Sequence, residues 1–289
     1  MAEISAKAVK DLREKTGAGM MDCKRALSEA GGDVEKAIEV LRERGLAKAG
    51  KREGRATSEG AIAIAIAGAS GGMLELGCET DFVARTDDFQ QLADRLANAV
   101  AADASLSSAD ALLAASVDGS AVTETLAAAI SKLGENVVVK RVARIDVPGG
   151  TVGGYVHVGG VLGVLVGLAA EGDHAALAKD VAMHVAAADP SPVAVSRDGV
   201  SADMLAKERE IYRKQALQEG KPEKIVDRIV DGKINKFVSE ICLVEQPFVK
   251  DPDQTIGDLL KQAGDVKVAA FERFKLGQTG DEDDGEASE

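Results

Sequence analysis

Residues 61–68 read AIAIAIAG and residues 71–78 read GGMLELGC. Alternation of Ile with Ala at a period of two, then a Gly-rich turn and a second apolar run, is the signature of a β-hairpin. Everything ahead of it keeps a helical period instead. The chain therefore changes from helix to strand near residue 59. The reading is an α+β protein with a helical N-terminal bundle and a body of small antiparallel sheets.

Working back from the hairpin, residues 4 to about 45 fit three short helices. Asp33 follows Gly31-Gly32 and is placed to cap the third. Val34, Ala37, Ile38 and Leu41 then fall on one helical stripe, with Gly45 as the expected stop. Met21, Ala26, Leu27 and Ala30 mark the second helix, and Val9 and Leu12 the first. A bundle confined to 1–45 is too small to be robust alone and should lean on another part of the chain. Residues 46–58 read as a linker carrying Lys48, Lys51, Arg52 and Arg55. Either these cations are simply solvated, or they meet an acidic partner or RNA.

Working forward, a helix from about 87 to 102 carries Phe89, Leu92, Leu96 and Val100 on one stripe. A helix at 122–133 then leads into a strand at 137–147, which Pro148-Gly149-Gly150 ends. From 149 the order repeats: a hairpin from 154–158 and 161–170, a helix at 173–188, a later helix at 256–263 and a strand at 266–276. Element order and pattern thus divide the body into two related αβ subdomains, 59–148 and 149–279, each a small antiparallel sheet with helices on one face.

The second copy carries an insertion at 201–240. It reads as two antiparallel helices joined at Gly220-Lys221-Pro222, Gly suiting the end of one helix and Pro the start of the next. Ile225, Val226, Ile229, Val230, Ile234, Phe237 and Val238 make a broad apolar face on the second helix. Met204, Leu205, Ile211 and Leu217 make a thinner one on the first. Such a hairpin serves either as a partner contact or as an arm for self-association. Residues 280–289, with the run DEDDGEASE, are expected to be a disordered acidic tail.

Composition removes several function classes. A formal charge of −13 and a pI near 4.9 repel phosphate backbones, so direct nucleic-acid binding is disfavoured. Three cysteines, widely spaced, fit a reducing compartment better than a disulfide framework or a zinc site. The N-terminus has no apolar signal region, and the most apolar runs fall short of the roughly 20 residues a membrane helix needs. A cytoplasmic protein without membrane contact is the expectation.

Reaction chemistry is equally sparse. His184 follows Met183 on an apolar helix and reads as core. His174, beside Asp173, reads as solvated, which leaves His157 on a strand as the one histidine suited to a contact role. No GxxxxGK[ST] loop is present, so nucleotide binding by this chain is not expected. Neither an enzyme nor a cofactor is indicated. Comparison of the two copies gives the sharper signal. Leu165 and Leu177 are twelve positions apart in the second copy, whereas Leu74 and Leu92 are eighteen apart in the first. The extra length falls at 79–86, ETDFVART. A surface loop carrying Phe-Val is unusual unless something covers it. Two readings stand: Phe82 folds back as a hydrophobic staple behind an N-cap at Thr80 or Asp81, or it is a wedge whose cover comes from a partner.

The runs LREKTGAGMMDCKRAL (12–27), ETDFV (79–83), HVAAADP (184–190) and EQPFV (245–249) resemble signatures of the elongation factor Ts family, in that family's order and across essentially the whole chain. The acidic tail is a departure from the pattern. The resemblance implies a guanine-nucleotide exchange factor that binds GDP-bound and nucleotide-free elongation factor Tu. It also implies a bundle similar to a ubiquitin-associated domain, touching the GTPase through Leu12, Met20 and Met21. Thr80, Asp81, Phe82 and Val83 would dislodge the partner's magnesium, while His157 and the Phe248 region would grip another domain of it. The rival class is an adaptor in which the N-terminal bundle alone binds a partner and the body is a scaffold.

Overall fold

A computed structural model describes residues 4–278; the acidic stretch 280–289 lies outside the described residues. The fold is α+β. Helices α1 (Ala6–Thr16), α2 (Met20–Glu29) and α3 (Val34–Gly50) form the N-terminal bundle. Asp33 caps α3 as expected, accepting from the backbone N–H groups of Glu35 and Lys36 at 3.0 and 3.2 Å. Leu12, Cys23, Ala26, Leu27 and Ala37 fill the bundle core.

The first subdomain runs β1 (Glu59–Ala67), β2 (Ser70–Cys78), α4 (Asp81–Ala84), α5 (Asp87–Ala102), α6 (Ala109–Ala114), β3 (Ser116–Val117), β4 (Ser120–Ala121), α7 (Val122–Leu133) and β5 (Val137–Asp146). The second runs β6 (Thr151–Val156), β7 (Leu162–Ala169), α8 (Ala175–Ala187), α9 (Ala202–Gln218), α10 (Glu223–Ile241), β8 (Pro247–Phe248), β9 (Asp251–Thr255), α11 (Ile256–Gln262) and β10 (Lys267–Lys275). Each subdomain has a three-stranded antiparallel sheet of the same order, β1-β2-β5 in one and β6-β7-β10 in the other. The repeated element order is thus also a repeated topology.

The Ile/Ala alternation has a direct structural meaning. Ala61, Ala63 and Ala65 face α5, together with Leu74, Leu76 and Cys78 of β2 and Phe89, Leu96 and Val100 of the helix. Ile62 and Ile64 point the other way, where Met73, Ile145 and Val147 meet Val152, Leu165 and Phe274 of the second sheet. Val164, Val166 and Leu168 of β7 face α8. The sheets therefore stack on each other with a helix outside each, and both faces of each are apolar. Glycines set the spacing. A Cβ on Gly71 would stand 2.7 Å from Val152 Cγ1, and one on Gly163 would stand 2.5 Å from Ile62 Cγ2.

Two boundaries differ from expectation. The strand expected at 154–158 is β6 at Thr151–Val156, so His157, read as a strand residue, lies past its end. Gly45 does not end α3; the helix continues to Gly50 and takes in the first five residues of the supposed linker. The reason is packing: α3 lies across α7, and a Cβ on Gly45 would be 3.7 Å from the Ala127 carbonyl oxygen. Two of the following cations are also tied down. Arg52 donates to the Ile130 carbonyl at 3.0 Å, and Arg55 pairs with Glu79 at 3.4 Å.

The helical hairpin α9–α10 has the expected turn, with Gly220 at φ 72. Its buried seam joins Val226, Val230, Ile234 and Val238 to Ala216, with Met204, Leu205 and Tyr212 packed alongside. Ile211 and Leu217, read above as part of that seam, are exposed. The i, i+4 register through Tyr212 and Ala216 occupies the interface instead.

A Cβ at Gly72 would lie 2.5 Å from Ala101 N and 2.7 Å from Ala97 O, both backbone atoms of α5. Gly72→Ala is expected to destabilise the protein by about 1–3 kcal/mol. Gly45→Ala meets only an ordinary contact and should stabilise by about 0.5–1 kcal/mol. Urea denaturation midpoints of the two variants test this contrast.

Candidate partner-binding site

Eight residues, 79–86, connect β2 to α5, where five connect β7 to α8. The insertion is thus shorter than the leucine spacing suggested, because Leu74 and Leu165 are not equivalent strand positions. It is also not a loop. Thr80 adopts an extended backbone (φ −131, ψ 154) and caps the single turn α4, its hydroxyl accepting from Val83 N. Val83 is half-buried against the first core and Ala84 is fully packed there. Phe82 projects from the middle of the turn and is 80% exposed. The staple reading fails on that observation: the N-cap is present, but the Phe ring covers nothing.

The turn is braced at both ends. Glu135, on the connection from α7 to β5, accepts from Glu79 N at 3.1 Å, Thr80 N at 2.9 Å and the Thr80 hydroxyl at 2.6 Å. Glu79 answers by accepting from Asn136 N at 2.7 Å. That hydrogen bond, with the Arg55 guanidinium nearby, holds the Glu79 carboxyl below its usual range. At the far end the Thr86 hydroxyl donates to Val83 O at 2.8 Å, and Gln90 Nε2 donates to Ala84 O at 2.7 Å. Asp81 pairs with Arg85 at 2.9 Å. The neighbouring Cys78 thiol is pushed up to about 12, chiefly by burial and then by the Glu135 carboxylate. It remains a protonated donor to Thr80 O, at 3.2 Å, rather than a nucleophile.

The segment that braces Phe82 also seats the bundle. Lys48 of α3 reaches Asp22 of α2 at 3.0 Å and Ser131 of α7 at 3.5 Å. Lys132 pairs with Asp88 at 2.6 Å, and its side chain runs beneath Gly17. Met20 and Met21, which begin α2, are 55% and 63% exposed. They and Phe82 are therefore fixed to one scaffold through the end of α7. Leu12 is different: it is fully buried in the bundle, so the direct contact expected of it is corrected to a core role beneath α2.

The second subdomain divides in the same way. His157 is exposed beyond the end of β6, among exposed Val156, Val158 and Val161, and its Nδ1 lies 3.0 Å from the Tyr155 hydroxyl. Phe248, expected to grip a partner, is buried against His184 with ring centroids 6.2 Å apart; Val249 beside it is exposed. HVAAADP and EQPFV meet here in a buried polar knot. His184 Nδ1 accepts from Val249 N at 3.3 Å, so its Nε2 donates to Gln246 Oε1 at 3.0 Å. Gln246 Nε2 in turn donates to the carbonyls of Pro190 and Glu240 at 2.9 and 2.6 Å. These motifs therefore anchor the base of the α9–α10 hairpin. The reading of 79–86 missed Glu135 and Asn136, and the one clue was a Glu-Asn pair directly after the Gly134 helix stop.

Among the described residues, no group of three or more His, Cys, Asp or Glu side chains is placed to hold a metal ion. No helix there is long and apolar enough to cross a membrane.

Residues 79–278 match the model of the family described as Elongation factor TS. The chain is 48% identical over 278 residues to elongation factor Ts of Thioalkalivibrio sulfidiphilus (strain HL-EbGR7), covering 95% of this chain and 92% of that protein. It is 49% identical over 288 residues to elongation factor Ts of Clostridium botulinum (strain ATCC 19397 / Type A), covering 95% and 93%. The relatives it matches along nearly its whole length are translation elongation factors. The chain belongs to the elongation factor Ts family.

Two outcomes follow. Phe82→Ala should leave the thermal midpoint of the free protein essentially unchanged, within about 0.5 kcal/mol, because the ring is already in water. His184, by contrast, titrates below its ordinary 6.5, because burial outweighs the opposing Gln246 hydrogen bond. The unfolded chain therefore takes up that proton first, and the stability is complete above about pH 6.5 and lost as pH falls. Melting temperatures between about pH 7.5 and 5.5 should fall for the parent protein and fall less for His184→Gln.

Proposed function

We propose that this chain is the guanine-nucleotide exchange factor of elongation factor Tu, acting in the cytoplasm by accelerating GDP release so that GTP can bind. The observation that carries the reading is Phe82, which stands 80% exposed on a turn braced at both ends. A bulky apolar ring held on an ordered turn is surface suited to burial by a partner. Met20 and Met21 on the same scaffold, and His157 among exposed valines, extend the docking surface.

Exchange follows from linkage. A factor that binds the nucleotide-free GTPase more tightly than the GDP form must weaken GDP by the same ratio. Magnesium gives the wedge its leverage, since the ion bridges phosphate oxygens and requires near-ideal octahedral geometry. Displacing its protein ligands slightly therefore costs nucleotide affinity. In this account Thr80 fixes the turn, Phe82 and Val83 displace the partner's backbone, and Asp81 brings negative charge toward the ion's surroundings. The chain itself makes and breaks no covalent bond.

Release of a fluorescent GDP analogue from elongation factor Tu tests the proposal, and acceleration by the parent protein is the expected result. Burial of one Phe side chain contributes about 1.5–3 kcal/mol, so Phe82→Ala should slow release by roughly 10- to 150-fold at a fixed factor concentration. Asp81→Ala should slow it less. Wild-type rates in both variants would refute the wedge; no acceleration by the parent protein would refute the function.

A further inference from the structure

We infer that Glu135 is a positioning residue for exchange, acting through Thr80 rather than on the partner. The inference rests on the exchange reading above. Helix α4 is closed by three backbone hydrogen bonds, Ala84 N to Thr80 O and Arg85 N to Asp81 O at 3.2 Å and Thr86 N to Val83 O at 3.0 Å. One turn is below the length at which a helix sustains itself, so the direction of Phe82 is set by what holds the turn from outside. Glu135 holds its leading end: both carboxylate oxygens are used, on two backbone N–H groups and the Thr80 hydroxyl, at 2.6 to 3.1 Å. Its negative charge also sits at the N-terminus of the turn, where backbone N–H groups converge.

The position of Glu135 in the chain adds to this. Gly134 ends α7 in the left-handed conformation at φ 85, and Glu135 and Asn136 follow directly. The two carboxylates cross-brace the strands: Glu135 takes the N–H groups of 79 and 80, while Glu79 takes that of Asn136. Because α7 also carries the contacts that seat the bundle, Glu135 fixes Phe82 relative to Met20 and Met21. An amide here could still offer one oxygen to the two N–H groups, but its NH₂ would have to face the Thr80 hydroxyl, so that bond reverses and the negative charge at the N-terminus of the turn is lost.

The test is GDP release from elongation factor Tu as a function of factor concentration, with Glu135→Gln, Phe82→Ala and the double variant. Glu135→Gln should lower the maximal rate about tenfold or more while half-saturation moves little, because the binding surfaces remain and only the wedge is misaimed. The double variant should be no slower than Phe82→Ala alone, since both remove the same action. In the free protein, amide hydrogen exchange at Glu79, Thr80 and Val83 should speed up in Glu135→Gln, with protection of β2 and α5 retained. If that variant folds poorly, Thr80→Val, which removes the hydroxyl from the other side, should show the same lowered maximum. A wild-type maximal rate in Glu135→Gln, losses that multiply in the double variant, or unchanged amide exchange would each overturn the inference. A parent protein that fails to accelerate release overturns the exchange reading along with it, whereas an active parent with an unimpaired Glu135→Gln overturns the positioning role alone.

Discussion

The two sheets of this protein stack on one another because glycine replaces a side chain at chosen points of contact. Gly71 gives space to Val152 and Leu165, and Gly163 to Ile62. With larger residues there, the sheets would stand farther apart and the cluster built on Ile62, Met73, Ile145 and Leu165 would lose its close packing. Helix α5 depends on the same device through Gly72 on the opposite face of β2. A polar tie reinforces the stack. Buried Glu75 of β2 pairs with Arg141 of β5 at 2.6 Å, Arg141 donates to the Lys275 carbonyl at 2.8 Å, and its guanidinium lies 4.2 Å from the centre of the Phe274 ring. Breaking a pair of this kind by removing one partner is costly, because the remaining charge is left without compensation.

The proposed docking surface is organised on this base by one helix, α7. On one side α7 receives α3, so that the small N-terminal bundle is anchored to the body rather than tethered by a flexible segment. At its C-terminal end α7 delivers Glu135 and Asn136 to the turn under Phe82. Residues distant in sequence are thereby held in one frame. The HVAAADP and EQPFV runs do a parallel job in the second subdomain, where His184 and Gln246 tie the foot of the helical hairpin to α8.

Much of this was legible in the sequence where a single periodicity determines the outcome. The Ile/Ala alternation of β1, the stripe of α5, the Asp33 cap and the repeated order of elements all depend on neighbouring residues. What was not legible depends on residues far apart. Gly45 looks like a helix stop until α7 lies across it. Leu12 and Phe248 fall in runs of family character, but such runs hold core residues as well as contact residues, and only three-dimensional packing separates the two. Ile211 and Leu217 look like core on composition, yet Tyr212 and Ala216 occupy the correct register. The turn at 81–84 is too short to show a period, and its brace, Glu135, is 55 residues from Thr80.

Under the exchange role proposed above, the rigid mounting of Phe82 has a consequence for how often the protein can be used. A segment that orders only on meeting its partner loses conformational entropy at every encounter, and that loss weakens each complex. Here the turn is ordered when the chain folds, so the loss is incurred once in the lifetime of the molecule. Every later encounter starts from a surface already in shape. That arrangement suits a component that must engage, release and re-engage the same partner many times over.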